Sequence, residues 1–439
     1  LYKQLYRAAG KGNYDIYVVF VEKGLSLLNE RGRLGYILPH KFFNAKYGEP
    51  LRGVIAEGRH LSQIVHFGDQ QVFAGATTYT CLLFLEKRAQ EDFHYVDARD
   101  LEAWRQDGEA VEGDIAAEKV TEKEWNFTVQ AGASLFERLE QAKIRLADVV
   151  TSMFVGQQTS ADTVYLFKNY ELVDYATIRV HSKELSEWLE LETDILRPVI
   201  RSGKIGRYAA IPTAMILFPY EVTNNSARLY TTKEMQTRFP LAWDYLKRNR
   251  RLLEDREKGK FKDQQWYRFG RSQNLGMWEQ PKLMVPYMIT NLAAYYDSSD
   301  DYYFINVTTG GYGITVNEAK IDYVYLCGLL NSRLLDFYLK QVSTNFRGGY
   351  MAANKQYIEQ LPIRTIDPTN PTDVAQHDHL VALVRQWRWR NRRAAAEANQ
   401  QVKTMLQRQI DATDKQIDRL VYTLYNLTAA EIAIVEGTA

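Results

Sequence analysis

The sequence predicts an α/β segment, then an α+β domain, then a helical tail. Three observations predict this order. Residues 1–90 alternate helical periodicity with short apolar runs. From about residue 146 the spacing becomes irregular and rich in aromatics. From 373 a long stretch carries neither Gly nor Pro until Gly437. The first pattern reads as one half of a doubly wound sheet.

Within that half, "DIYVVFVEKGLSLLNE" (residues 15–30) places Ile16, Val19, Phe20, Leu25, Leu27 and Leu28 at helical spacing. Asp15 stands where an N-cap is expected. The "RG" at Arg31 and Gly32 closes the helix. "RLGYILP" (33–39) is a short continuous apolar run, the pattern of a strand covered on both faces. "HKFFNAKYGEPLRGVIAEG" reads as helix, interrupted near Gly48 and Pro50. "LSQIVHFGD" (61–69) and "TTYTCLLFLEK" (77–87) are two further strands, and their short connection allows an antiparallel pair. No glycine-rich strand-to-helix turn of the kind that cradles a nucleotide cofactor occurs here. The expectation is that the other half of the sheet lies upstream of Leu1, and that the chain is a C-terminal fragment.

Residues 91–124 hold 12 acidic against 4 basic residues. The stretch 91–145 reads as an acidic linker or small subdomain, with Trp104 and Trp125 docking part of it. Residues 146–366 form the α+β domain, with a glycine-turned hairpin at "NVTTGGYGITV" (306–316) and one amphipathic helix over 323–343. Residues 367–439 form a helical hairpin followed by a short helix whose start is marked by a Thr428-x-x-Glu431 capping box.

The 439 residues suggest about two to four domains. At 46% hydrophobic the chain can bury real cores. Its 55 basic and 54 acidic residues nearly cancel, so only the distribution of charge is informative. Two cysteines, Cys81 and Cys327, exclude a disulfide framework and a cysteine-based zinc site. No run approaches the ~20 apolar residues of a membrane span, and the first residues have no signal-peptide core. A cytoplasmic, bacterial-type protein is expected, with no membrane partner.

Positive charge concentrates between Arg197 and Lys282, with 18 Lys and Arg against 8 Asp and Glu. The cluster includes Arg197, Arg201, Lys204, Arg207, Lys247, Arg248, Arg250, Arg251, Arg268 and Arg271. Trp243, Tyr245, Phe261, Trp266, Tyr267, Phe269 and Trp278 interleave with them. Such a pattern suits nucleic acid, because Lys and Arg neutralise phosphates and Arg reads guanine edges with paired hydrogen bonds. A solvated helix face is the plainer alternative. His377 and His379 lack a nearby third ligand, so no metal is expected. "GGYG" (310–313) is not followed by the Lys-Ser/Thr of a phosphate loop and reads as a turn. No Ser/His/Asp or Cys/His constellation stands out.

Several stretches together resemble a known family. "NYDIYVVFVEKGLSLLNERGRLGYILPHKFF" is similar to the segment that follows the catalytic motif in gamma-class N6-adenine DNA methyltransferases. "VFAGATTYTCLLFLEK" (72–87) resembles a later motif of the same sheet. "LRPVIRSGKIGRY", "WDYLKRNRRLLEDRE", "WYRFGRSQNL", "KLMVPYM", "LCGLLNSRLLDFYLK" and "NKQYIEQLPI" resemble a TaqI-like target-recognition domain. "TDKQIDRLVYTLYNLTAAE" resembles the tail of fused type IIG restriction-modification enzymes. The resemblance covers nearly the whole chain, in order.

The resemblance implies the incomplete C-terminal half of a Rossmann-like methyltransferase sheet (1–90), a target-recognition domain (146–366) and a helical tail (367–439). It implies a parent enzyme that moves a methyl group from S-adenosylmethionine to adenine N6 at a specific duplex site. The family's cofactor loop and Asn-Pro-Pro-Tyr motif have no counterpart in the 439 residues, and the resemblance places both upstream of Leu1. No catalytic residue, no bound cofactor and no activity are therefore expected of this chain alone. Mg2+ would serve only an absent nuclease domain. Phe73 matches the position whose ring stacks on the extruded adenine; a core-capping ring is the alternative, and Tyr79 is a second candidate. The expected DNA contacts are Arg197, Arg201, Lys204, Arg207, Arg250, Arg251, Arg268 and Arg271. Arg385, Arg388, Arg390, Arg392 and Arg393 of the tail are further phosphate candidates. The partner is double-stranded DNA and the expected state a monomer. Two other readings stay open: a non-catalytic DNA-binding specificity subunit, and a phage-defence methyltransferase without a nuclease.

Overall fold

The computed structural model describes the chain except residues 76–77, 130–131, 299–301, 307–309, 347 and 439, with Ser202 and Asn345 described as backbone. It divides into two compact units. The first comprises 1–141, 340–351 and 428–439; the second comprises 142–339 and 352–427.

The first unit is built on a five-stranded mixed sheet. Its strands are β1 (Arg33–Pro39), β2 (Leu61–His66), β3 (Thr80–Glu86), β4 (Asp92–Asp97) and β5 (Val111–Ala116), in spatial order β1-β3-β2-β4-β5. β3 runs antiparallel to both β1 and β2, while β2 and β4 are parallel. Cys81, Leu83 and Leu85 of β3 are fully buried, as befits a strand with neighbours on both sides. β1 differs from expectation. Only Leu38 is fully buried along it, and Ile37 is exposed. Its apolar run marks an edge strand with one open face, because no described residue pairs with its outer side.

The chain enters this unit through a four-residue helix, Tyr2–Leu5, which Leu1 precedes as an exposed N-cap without a side-chain bond. The helix preceding β1 spans Tyr17–Leu27. Its N-cap is Ile16 without a side-chain bond; Asp15 instead accepts a hydrogen bond from Tyr47 Oη at 3.3 Å. After β1 the chain forms a short 3-10 turn, His40–Phe43, and then the helix Glu49–Glu57 with Pro50 in its first turn. Gly48 is required at this join, since a Cβ there would lie 2.0 Å from the Phe42 carbonyl oxygen.

The acidic tract supplies β4 and β5 rather than a free linker. Phe93, Tyr95 and Ile115 turn inward and join the core with Trp125. Asp92, Glu112 and Asp114 take the alternate positions, where Asp114 and Glu112 flank His94 at 2.8 and 3.3 Å. A period of two thus hides a strand inside a strongly charged composition. Residues 428–439 belong to this unit, and Arg138 meets Glu431 of the final helix at 2.8 Å. That helix, Ala429–Glu436, has the expected capping box from Thr428 and Glu431.

The second unit begins with β6 (Val150–Val155), β7 (Leu166–Phe167), β8 (Tyr170–Leu172), β9 (Thr177–Ser182), β10 (Glu187–Glu192) and β11 (Leu196–Ile200). Next come β12 (Ile205–Gly206), β13 (Ala209–Ala210), β14 (Ala214–Leu217) and a hairpin of β15 (Tyr220–Thr223) with β16 (Ser226–Leu229). After three helices follow β17 (Lys282–Pro286), β18 (Met288–Ile289), β19 (Tyr295–Asp297), β20 (Tyr303–Phe304) and β21 (Gly311–Val316). Two four-stranded sheets organise them, β20-β11-β14-β7 and β19-β17-β21-β6, beside a three-stranded β10-β9-β8. One aromatic-rich core joins these elements, with Tyr165, Phe218, Trp278, Tyr303 and Phe304 buried in it. The turn expected before β21 falls partly on 307–309, outside the described residues.

The single helix expected over 323–343 is two, Tyr323–Leu330 and Arg333–Val342. Asn331 explains the break. Its side chain accepts from Ala294 N at 3.0 Å and donates to the Ala294 and Cys327 carbonyls at 2.8 Å each. The tail forms a hairpin of long helices, Pro371–Ala396 and Gln400–Leu424. No helix among the described residues is long and apolar enough to cross a membrane.

Candidate nucleic-acid interface

The basic segment of the second unit is shaped by one buried cation that charge counting does not single out. Arg256 lies in the last part of the helix Arg250–Gly259, where Glu257 and Lys258 adopt positive φ. Its guanidinium donates to the carbonyls of Leu253, Thr159 and Trp266 at 2.8 Å and of Arg268 at 2.9 Å. It also lies 4.0 Å from the Phe261 ring centroid. Four carbonyls from three chain segments thus converge on one planar fork, which suits the five donors of Arg. This fixes the path of the loop that carries Arg268 and Arg271.

On the outside of this knot, Arg250 lies 5.3 Å over Trp266 and pairs with Glu254 at 2.8 Å. Arg271 pairs with Glu257 at 2.6 Å. Arg268 is half-buried, 4.6 Å over Phe261 and 2.6 Å from Asp263. Arg251 is exposed and makes no ion pair among the described residues.

Arg197, Arg201, Lys204 and Arg207 divide into two kinds. Arg197 projects from β11 to Glu279 at 2.9 Å, and Glu279 also accepts from Tyr303 Oη at 2.8 Å. Arg207 reaches Asp414 at 2.6 Å, Asp418 at 3.0 Å and the Asn331 carbonyl at 2.6 Å. Both are committed inside the protein. Arg201 and Lys204, joined by a short 3-10 turn, are exposed and unpaired among the described residues. Lys168 and Lys183 stand near Arg201 and were not signalled by the sequence, since each is isolated in its own stretch. In the tail, Arg388 donates to the Tyr296 carbonyl at 2.9 Å and Arg390 reaches Gln409 and Thr413, while Arg385 and Arg392 are exposed. Arg393 lies 5.4 Å over Trp389.

Phe73 sits in the β2–β3 loop of the first unit and is 49% exposed, so it does not cap the core. Tyr79 is half-buried and stacked 6.3 Å from His40. The loop is pinned at its start. His40 Nε2 donates to the Gly68 carbonyl at 3.1 Å, and Gly68 N–H donates to His66 Nδ1 at 3.1 Å. These bonds place the proton of each neutral ring on Nε2. The two rings lie 4.4 Å apart. Farther along, Arg105 donates to the Val72 carbonyl at 2.9 Å.

Burial lowers the proton affinity of both histidines. His66 is held well below its ordinary value, first by burial and then by the charges of His40 and Arg99; His40 is lowered by burial, with Arg99 adding to it. Asp97, 3.0 Å from Arg99, is the acid in this neighbourhood. A folded state that binds these protons less readily than the unfolded chain loses stability as pH falls below about 6.5. The expected loss approaches about 1.4 kcal/mol per pH unit for each ring until its folded titration is reached. Urea unfolding of the first unit at pH 7.5 and 5.5 checks this. The double variant His40→Gln, His66→Gln should flatten the difference; an equally steep profile in that variant refutes the assignment.

His377 is stacked 4.9 Å from Tyr325 with Nδ1 2.9 Å from Asp378. No group of three or more potential metal ligands occurs among the described residues. Among the described residues of the first unit, no glycine-rich turn of the kind that holds a methyl-donor cofactor joins a strand to a helix. Gly68 follows β2 with a positive φ of 58°. The space over it is filled, since a Cβ would lie 2.8 Å from Arg99 Cγ.

Comparison with known proteins finds two family matches. Residues 1–73 match the Eco57I restriction-modification methylase family, and residues 230–363 match the TaqI-like C-terminal specificity domain. The two matches follow one another in a single chain, the methylase match first and the specificity-domain match after it.

Among its relatives is the type II restriction enzyme and methyltransferase RM.Eco57I of Escherichia coli, 26% identical over 452 residues, covering 97% of this chain and 44% of the relative. The type II methyltransferase M.BstVI of Geobacillus stearothermophilus is 21% identical, covering 96% of this chain and 69% of the relative. The chain thus spans less than half the length of the first. The type IIL restriction-modification enzyme MmeI, solved in complex with DNA, shares the fold with a TM-score of 0.57 at 11% identity, covering 97% of this chain and 52% of that one.

Proposed function

We propose that this chain is the sequence-reading C-terminal part of an adenine-N6 DNA methyltransferase of the fused type IIG restriction-modification kind, acting in the cytoplasm as a monomer. The observation that carries the reading is the ordered presence of a methylase segment at 1–73 and a specificity domain at 230–363 in one chain. The open edge of β1 supports it, together with Ile16 and Phe20 exposed on the neighbouring helix segment, Phe20 by 59%. In this reading, further strands of the catalytic domain, carried by residues upstream of Leu1, cover both.

S-adenosylmethionine supplies the methyl group in the parent enzyme, and no step of the transfer is assigned to residues of this chain. Phe73 offers an exposed ring for the extruded base. The second unit grips duplex DNA through Arg201, Lys204, Arg250, Arg251 and Arg271. Arg197, Arg207 and Arg268 act as framework for that surface.

The test is salt-dependent duplex binding by the 439-residue chain. Arg250→Glu with Arg251→Glu should weaken binding several-fold at about 0.1 M salt, because opposed charge replaces two phosphate partners. Unchanged affinity would falsify that recognition surface. The chain alone should transfer no methyl group to DNA; detectable transfer overturns the division of labour.

A further inference from the structure

We infer that a cationic cavity in the second unit seats one backbone phosphodiester of bound DNA, an inference that rests on the reading proposed above and assigns it a site. The cavity measures about 410 Å3, within the range of small-ligand clefts. Its cations come from three separate elements. Lys168 and Asn169 come from the turn between β7 and β8, His181 and Lys183 from the end of β9 and the turn after it, and Arg201 from the end of β11. The His181 N–H donates to the Asn169 carbonyl at 2.9 Å, which stitches the first two elements together.

The ionic state of these side chains separates them from the rest of the basic region. Arg250, Arg268 and Arg271 each carry a carboxylate partner. Lys168, Lys183 and Arg201 carry none among the described residues, and all three are exposed. The cavity's one acid, Asp162, accepts from Thr159 Oγ1. Like charges gathered in a concavity repel one another and focus their field on an incoming anion. A phosphate oxygen can accept from all three cations, and Asn169 adds a neutral donor.

A second observation points to nucleic acid among anions. Trp188 meets His181 edge-on at 5.5 Å between ring centroids, carries Arg179 5.3 Å over one face and is 40% exposed. An aromatic face beside a phosphate site is the arrangement on which sugars and bases stack.

The test uses the full 439-residue chain and a duplex oligonucleotide, with binding measured across a salt series. The variant combines Lys168→Gln, Lys183→Gln and Arg201→Gln; exposed side chains leave its circular dichroism unchanged. Affinity should fall about tenfold near 0.1 M salt, and the slope of log K against log salt should shrink by about 0.9, the signature of one phosphate lost. A shrinkage near about 2.7 would mean three phosphates on an open surface and would overturn the single seat. No change would also overturn it. If the Arg250 and Arg251 reversal weakens binding and this variant does not, the cavity falls while the DNA-reading function stands. If the unaltered chain shows no salt-dependent duplex binding, both fall.

Discussion

Asp297→Ala should unfold or severely destabilise the second unit, by about 3–5 kcal/mol. Lys282 and Asp297 are register partners on β17 and β19, and both side chains have zero exposure. The ammonium donates to Asp297 Oδ2 at 2.7 Å and to the Trp278 carbonyl at 2.6 Å. Asp297 Oδ2 also accepts from the Tyr302 N–H at 3.0 Å. Removing the carboxylate leaves a positive charge in an apolar core with neutral carbonyl partners such as those of Trp278 and Gln280, and takes an acceptor from the Tyr302 N–H. The converse variant is informative. Lys282→Met combined with Asp297→Leu removes both charges and should recover most of the stability, since paired desolvation consumes most of what a buried ion pair gains. Urea midpoints of the three proteins decide the matter. If the single variant unfolds at the same urea concentration as the unaltered chain, the pair is not what holds these strands.

Arg207→Ala is the second large effect, about 3 kcal/mol on the same unit. The side chain is 25% exposed, so the figure belongs at the lower end of the range for a broken buried pair. The guanidinium ties the carbonyl of Asn331, at the break between two helices, to Asp414 and Asp418 on the tail helix. Asp418 keeps Arg333, whose backbone N–H reaches it at 2.9 Å and whose Nε lies at 3.4 Å. Asp414 loses its partner, and burial already pushes its carboxyl up against the counter-pull of Arg207. Arg207→Lys should restore part of the loss, because one ammonium cannot serve carbonyl and carboxylates as a fork does. Duplex affinity per folded molecule should stay level in both variants. A selective loss of DNA binding with unchanged stability would return Arg207 to the contact surface.

Residues such as these also mark where sequence reading stops. β2, β3 and the final helix were legible because their signals are local: apolar runs of strand length and a Thr-x-x-Glu box spanning four positions. β4 and β5 were not, because their acids dominate the composition while Phe93, Tyr95 and Ile115 carry the fold at alternate positions. The basic region was legible as a region and illegible residue by residue. Arg197 finds its acid 82 positions away, and Arg207 finds its two 207 and 211 positions away. Nothing in a one-dimensional charge count distinguishes them from Arg201, whose neighbours are equally basic and whose side chain meets none of those acids. Lys168 and Lys183 fail the opposite way: they lie outside the dense stretch, and only the turns around β8 and β9 bring them beside Arg201.

If the second unit grips DNA as proposed, the carboxylates that accompany Arg250 and Arg271 set how freely this protein lets go of the wrong DNA. Each of these arginines already has a rival acceptor within 3 Å, so an approaching strand must exchange places with Glu254 or Glu257 rather than simply add to an empty charge. Casual encounters, with poorly aligned oxygens, lose that competition and slip away. A correctly shaped backbone, presenting several acceptors at once, displaces the acids together. Discrimination would then begin before any base is inspected, in the ease with which a helix face gives up its own anions.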